Sequence, residues 1–170
     1  GLGRRRQDID ITIVRPQAML GPRITTRMSS YLSLPVVPTV IGFQPRLQFL
    51  HEEDALAAME HVTLAGKVGT YNISGEGVVT LTQAIRRVGH IELPVPSSLL
   101  APIAGVFQDL RSAKLRSSQT EFLTYGRVLD TTRMRTELGF VPRYTTLETL
   151  DDFIERSGVT PVIGSDSWRS

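Results

Sequence analysis

Ile9-Asp10-Ile11-Thr12-Ile13-Val14-Arg15-Pro16-Gln17-Ala18-Met19-Leu20-Gly21-Pro22 decides the fold class. Every position from Ile9 to Val14 except Asp10 is β-branched, which is the composition of a strand buried on both faces of a parallel sheet. Arg15-Pro16 ends that strand and Gly21-Pro22 closes the short apolar stretch after it. The chain therefore passes from strand to loop at the carboxyl edge of an α/β sheet, where ligands bind. A second run of the same kind, Thr70-Tyr71-Asn72-Ile73-Ser74, stops in Gly75-Glu76-Gly77.

Helices separate and follow these strands. Glu52-Glu53-Asp54 puts negative charge at the head of Ala55 to Ala65, where a helix N-terminus favours it, and Gly66 and Gly69 close that helix. Asp54 reads as a helix-start residue that ties neighbouring backbone amides. Upstream, Ile24 to Leu34 holds a short helix. Pro35, Pro38, Gly42 and Pro45 then divide the chain into loop and extended pieces, Val36-Val37 and Thr39-Val40-Ile41, before a short strand over Leu47 to Leu50. Thr80 caps a helix from Leu81 to Val88 that Gly89 stops. Ser97-Ser98 starts a long apolar helix, Leu99 to Leu115, bent near Pro102 and Gly105. Val128-Leu129-Asp130 is extended, Thr131 to Leu138 and Thr145 to Ser157 are helices, and the tail beyond Ile163 is frayed or draped on the surface.

The 170 residues are 41% hydrophobic and 21% charged, a globular composition with apolar material enough for a core. Zero cysteines exclude disulfides, thiolate zinc sites and cysteine nucleophiles, and fit a cytoplasmic setting. The longest nearly uncharged stretch, Met28 to Gln44, is broken by Pro35, Pro38 and Gly42 and falls short of the ~20 apolar residues of a membrane span. Nineteen Lys and Arg against seventeen Asp and Glu leave a net charge of +2, which does not imply nucleic acid. Arg4-Arg5-Arg6 reads as the solvated end of a helix, in a chain that opens without Met and looks cut from a longer one.

Ile13-Val14-Arg15-Pro16-Gln17-Ala18-Met19-Leu20-Gly21-Pro22 resembles the strand and loop in the second half of extended short-chain dehydrogenase/reductases, the NAD-dependent epimerase/dehydratase family. Three more segments agree, in family order: Arg46 to Ala55, Gly69 to Gly75, and Asp130 to Pro142 followed by Leu147-Glu148. The wording Gln48 to Ala55 is most similar to actinobacterial members. The resemblance implies the C-terminal part of a Rossmann-like parallel sheet with a mostly helical substrate-binding subdomain. Late strands and substrate loop would occupy 1–89, a helical cap 90–127, C-terminal helices 128–157 and a tail 158–170. It also implies an enzyme that, complete, binds NAD or NADP and acts on a sugar nucleotide or a related hydroxyl or carbonyl substrate. The family's GxxGxxG turn and Tyr-x-x-x-Lys pair are absent from these residues and are expected before residue 1. Lys67 and Lys114 are the only lysines, neither stands four places after a tyrosine, and Gly75-Glu76-Gly77 lacks the third glycine. No catalytic residue and no metal ligand is therefore assigned.

Carried over residue by residue, the resemblance sets Arg15, Pro16 and Gln17 along the nicotinamide end of the cofactor, with Ala18, Met19, Arg46 and His51 toward the substrate. Ala18 stands where many sugar-nucleotide members carry a substrate-binding asparagine, and Gln17 is the candidate replacement amide. Arg46 matches a basic position that meets substrate phosphates, for which a guanidinium fork is suited. The competing reading is a surface arginine paired with Glu52 or Glu53. His51, beside an acidic helix start that favours its imidazolium form, reads as an orienting or packed residue. Asn72 reads as structural. His51, Glu52, Glu53 and Asp54 do not make a metal site, because neighbours at one helix start cannot converge on one ion. The apolar run Leu99 to Phe107 is either a lid or a partner-binding surface helix. The strand-rich start leaves an open sheet edge, which the missing N-terminal half or self-association would close. Against the enzyme stands a non-catalytic binding or assembly module that keeps the fold.

Overall fold

The computed structural model describes residues 10–99 and 126–163. Nine strands and five helices alternate along them: β1 (Thr12–Pro16), β2 (Ala18–Leu20), α1 (Arg27–Leu32), β3 (Val36–Val40), β4 (Arg46–Leu47), β5 (Phe49–His51), α2 (Glu52–Ala65), β6 (Gly69–Ile73), β7 (Val79–Thr80), α3 (Leu81–Val88), β8 (Ile91–Val95), β9 (Gly126–Arg127), α4 (Thr132–Thr136) and α5 (Thr146–Arg156). Three parallel pairs, β1–β6, β2–β5 and β3–β8, and a three-stranded β7–β4–β9 sheet make the chain α/β with a parallel core. The apolar helix expected from Leu99 lies, beyond Leu99 itself, outside the described residues, as does the tail after Ile163.

The chain β1–Gln17–β2 changes partner at Gln17. Before it, Thr12 to Pro16 pair with Gly69 to Ile73; after it, Ala18 to Leu20 pair with Phe49 to His51. The Gln17 amide donates to Ile73 O at 2.9 Å, and Gly75 donates back to Phe49 O at 2.9 Å, so the junction of both pairs is stitched from both sides. A Cβ at Gly75 would lie 2.8 Å from the carbonyl oxygens of Phe49 and Tyr144, which is why glycine occupies this crossing.

α2 lays Ala55, Ala58, Val62 and Ala65 over Val14, Tyr71 and Ile73, small residues that let helix and sheet approach closely, and Met134, Leu138 and Phe140 complete this cluster. Its opposite side is apolar but open, with Leu56 and Leu64 more than two-thirds exposed. A second core joins Leu20, Leu32, Val37, Leu47, Ile85 and Leu150 across α1, β2, β3, β4, α3 and α5. Helix starts follow the sequence closely: Thr80 and Thr145 each cap with a reciprocal side-chain bond, to Gln83 and Glu148.

Four expectations are corrected. β1 is not buried on both faces, since Ile13 is 47% exposed, and it runs through Arg15-Pro16 instead of ending there. Proline is tolerated because Gln17, not Pro16, is the residue whose N–H faces β6. Val36 to Val40 is one strand with Pro38 inside it, paired with a strand the sequence did not suggest, Ile91–Val95, which holds Pro94. The bonds Ile91 N to Pro35 O and Ile41 N to Val95 O set the parallel ladder on odd-numbered residues, so Pro38 and Pro94 both turn their missing N–H outward. Finally, the strand before α4 is Gly126–Arg127, one step ahead of the extended piece expected over 128–130. Among the described residues no helix is long and apolar enough to cross a membrane.

Candidate functional site

The residues chosen from sequence fall on several strands: Arg15 and Pro16 end β1, Ala18 and Met19 lie in β2, Arg46 in β4 and His51 at the end of β5. Arg15 and Pro16 are exposed at the end of β1, in register with Asn72 and Ile73. Gln17 is 7% exposed and its amide is engaged: Nε2 donates to Arg127 O at 2.7 Å and Oε1 accepts from Ala18 N at 3.2 Å. That bond ties the end of β1 to β9. β9 in turn pairs with β4, placing Gly126 opposite Arg46, so Gln17, Arg127, Gly126 and Arg46 form a backbone-linked rim. A side chain at Gly126, where φ is 70°, would collide with the Arg46 backbone, so the strands meet only through glycine.

Arg46 is exposed and makes no ion pair among the described residues. The alternative partners Glu52 and Glu53 belong to another arginine: Arg23 Nε donates to Glu52 at 2.8 Å and Nη2 to Glu53 at 3.0 Å. The Arg23 amide also donates to Glu52, and Gly21 lies so close to that carboxylate that a Cβ there would strike it. The acidic helix start therefore closes the loop after β2 and leaves Arg46 to solvent. Ala18 and Met19 are half-buried, one packed toward each core.

His51 is fully buried at the N-cap of α2. Nδ1 accepts from Glu53 N at 3.2 Å, which sets the ring proton on Nε2, 3.1 Å from Asp152 Oδ2. The ring stacks on Tyr144 with centroids 3.9 Å apart. Held by these bonds, the ring orients α2 against α5, the orienting or packed role read for it from the sequence. Burial raises the Asp152 carboxyl, but hydrogen bonds from His51 and Arg156, together with the Arg156 charge, outweigh it and hold Asp152 below the usual carboxylate range.

Asp54 is corrected as well. Its carboxylate, 4% exposed, accepts from Arg143 N at 2.8 Å and Tyr144 N at 2.9 Å, amides of the loop before α5 and not of its own helix. Asn72 donates to Asp130 O at 3.0 Å, the structural use read for it. Sequence reasoning missed Gln48, which is buried and accepts from Leu129 N at 2.8 Å, and Thr146, whose hydroxyl donates to Gly77 O at 3.0 Å. A buried glutamine between two apolar neighbours, Leu47 and Phe49, is the signal that could have revealed the first. Beyond β2, a cavity of about 470 Å³ is walled by Pro22, Ile24 and Thr25, by Ser29 of α1, and by Phe153 and Ser157. No residue selected from sequence lines it.

No family model matches the chain. It is 47% identical over 169 residues to the uncharacterized protein Rv0501 of Mycobacterium tuberculosis, covering 99% of this chain and 45% of that protein. It is 26% identical over 153 residues to the uncharacterized protein y4nG of Sinorhizobium fredii, covering 83% of this chain and 38% of that one. The chain thus spans less than half the length of these curated relatives. Among solved structures it superposes on the ADP-L-glycero-D-manno-heptose-6-epimerase of Helicobacter pylori with a TM-score of 0.63 at 13% identity, covering 92% of this chain and 47% of the epimerase. The chain shares that fold. RMD of Pseudomonas aeruginosa, solved with NADPH, gives a TM-score of 0.61 at 13% identity, covering 92% and 51%. WbmG of Bordetella bronchiseptica, solved with NAD and UDP, gives 0.60 at 16%, covering 92% and 47%. The Rossmann-like fold expected from the sequence is therefore the observed one.

Proposed function

We propose that this chain is the substrate-binding half of an NAD(P)-dependent epimerase, dehydratase or reductase acting on a sugar nucleotide or a related hydroxyl or carbonyl substrate. The observation that carries the reading is the rim itself: an exposed Arg46, without an ion pair among the described residues, linked through Gly126, Arg127 and Gln17 to the exposed end of β1. A guanidinium free of carboxylates in such a place is ready for a phosphate. Arg15 and Pro16 offer backbone and ring to the nicotinamide end, while the pyrophosphate needs a glycine-rich turn that these residues lack. When bound, the cofactor supplies hydride chemistry, and this chain's part is to bind and orient. Gln17, with its amide engaged, positions the rim, and His51 positions α2 against α5. Residues 128–157 complete the substrate side, while most of the cap expected over 90–127 lies outside the described residues. The rest of the polypeptide closes the open edge of β1.

The test is made on the full-length protein with NAD(H), NADP(H) and a panel of nucleotide sugars. Turnover of one of them, with the Michaelis constant raised by R46A, is the expected result. Dinucleotide binding without any turnover would turn the reading toward a non-catalytic module, and binding of neither ligand would end it.

A further inference from the structure

His90 is 4% exposed and its two ring nitrogens both face carbonyl oxygens: Nδ1 lies 2.9 Å from Leu32 O and Nε2 lies 3.1 Å from Thr160 O. The Leu32 carbonyl ends α1, where helix geometry leaves acceptors without a partner. Thr160 belongs to the segment after α5. That segment runs tightly along the end of α3, because Val162 and Ile163 each donate to Gly89 O at 2.9 Å and a Cβ at Gly89 would lie 2.7 Å from Pro161 Cβ. A neutral imidazole has one N–H and must set a lone pair against one of the carbonyls. Only the imidazolium donates to both.

We propose that His90 is a proton-operated latch for the segment 158–163. The protonated ring bridges Leu32 O and Thr160 O and fastens the segment to α1 and α3; after proton loss one of those bonds becomes a repulsion between acceptors, and the segment loosens. Docking and protonation therefore promote each other. The charged and titratable groups on the elements around the ring are Arg27 and Tyr31 on α1, Arg86 and Arg87 on α3 and Glu92 on β8, and segment 158–163 brings none. Tyr31 donates to Pro38 O, Arg87 pairs with Asp151, and Glu92 accepts from Thr39 at 2.9 Å and Thr82 at 3.0 Å. Both polar neighbours of the ring nitrogens are thus neutral carbonyls, and the latch responds to the ring's own proton.

Hydrogen exchange of the peptide spanning 158–163, read by mass spectrometry in the full-length protein and corrected for intrinsic exchange, tests the latch. Protection is expected to fall about tenfold from about pH 5.5 to about pH 8 as a hydrogen bond from a charged donor is lost, and to stay flat across that range in H90Q, which does not titrate. Unchanged protection in the wild type, or the same pH dependence in H90Q, overturns the proposal. Should H90Q fail to fold, nitrogen chemical shifts of the wild-type ring decide. Protons on both nitrogens while the segment is protected support the latch, and a neutral ring with full protection refutes it.

Discussion

Asp54 offers the sharpest test of how the two halves of this chain are joined. Its carboxylate receives two amides from a loop about ninety residues later, at 2.8 and 2.9 Å, and the side chain is 4% exposed. Each hydrogen bond to a charged group is worth roughly 1.5 to 3 kcal/mol, so the pair could approach 6 kcal/mol if both amides stayed dry after its loss. They would not stay dry: Arg143 is exposed and Tyr144 half-buried, so water replaces part of the interaction. The expected destabilisation is about 3 kcal/mol for Asp54→Ala and about 2 kcal/mol for Asp54→Asn, which keeps one acceptor but turns an NH2 against the other amide. Urea denaturation of the full-length protein measures both, as a shift of midpoint at unchanged slope. Exchange at the amides of 143 and 144 should rise in the same variants. Were Asp54 only a cap of its own helix, the first turn of α2 would loosen and the distant loop would not. That result, or a loss below about 0.5 kcal/mol in Asp54→Asn, would refute the reasoning.

Arg46→Ala in the full-length protein should weaken a phosphate-bearing substrate by roughly 1.5 to 3 kcal/mol, read by calorimetry; unchanged affinity would leave a surface arginine and nothing more. The 170-residue chain alone should show no hydride exchange with added NAD(H) and should self-associate, so a compact, concentration-independent monomer in ultracentrifugation would count against the open edge. Asp152 is held below the ordinary carboxylate range, so its contribution to stability is complete above the unfolded value near ~3.9 and is lost as pH falls through the lower folded value. Urea midpoints between neutral and strongly acidic pH should therefore show a shallower acid limb in Asp152→Asn.

Local chemistry carried most of the sequence reading. Thr80, Gly89, Thr145 and Gly66 mark helix ends because capping depends on a few adjacent residues, and all four sit where the sequence sets them. Prolines misled because their cost in a strand depends on which way an N–H would point, a property of register that no local window contains; Pro38 and Pro94 escape it together. The site was legible in residue type but not in partnership. Arg46 has no ion pair among the described residues because Arg23, twenty-nine places before Glu52, takes the carboxylates, and Asp54 bonds a loop that only the fold brings near. Such pairings rest on long-range geometry, which a motif can suggest only when a family resemblance stands behind it.

The two edges of the β1–β6 pair differ in a way that bears on what completes the sheet. On β6, the Thr70 carbonyl is taken by Arg133 Nη1 at 3.1 Å, so a side chain of α4 blunts that edge. On β1, Gln17 N bonds Ile73 O, which sets the odd-numbered residues toward β6 and leaves the backbone of Thr12 and Val14 directed outward, unpaired by any strand among the described residues. The faces differ likewise. Val14, Tyr71 and Ile73 lie under α2 and α4, whereas strand alternation puts Ile13, Arg15, Thr70 and Asn72 on the other side, where Ile13 is 47% exposed. A parallel sheet is ordinarily covered on both faces. Among the described residues one edge and one face are thus covered and their opposites are not; β6 shares the open face, and the open edge is that of β1, the strand whose carboxyl end carries Arg15 and Pro16. A strand added at that edge would continue the sheet beside the proposed cofactor wall, which gives the assembly test and the activity test a common structural origin.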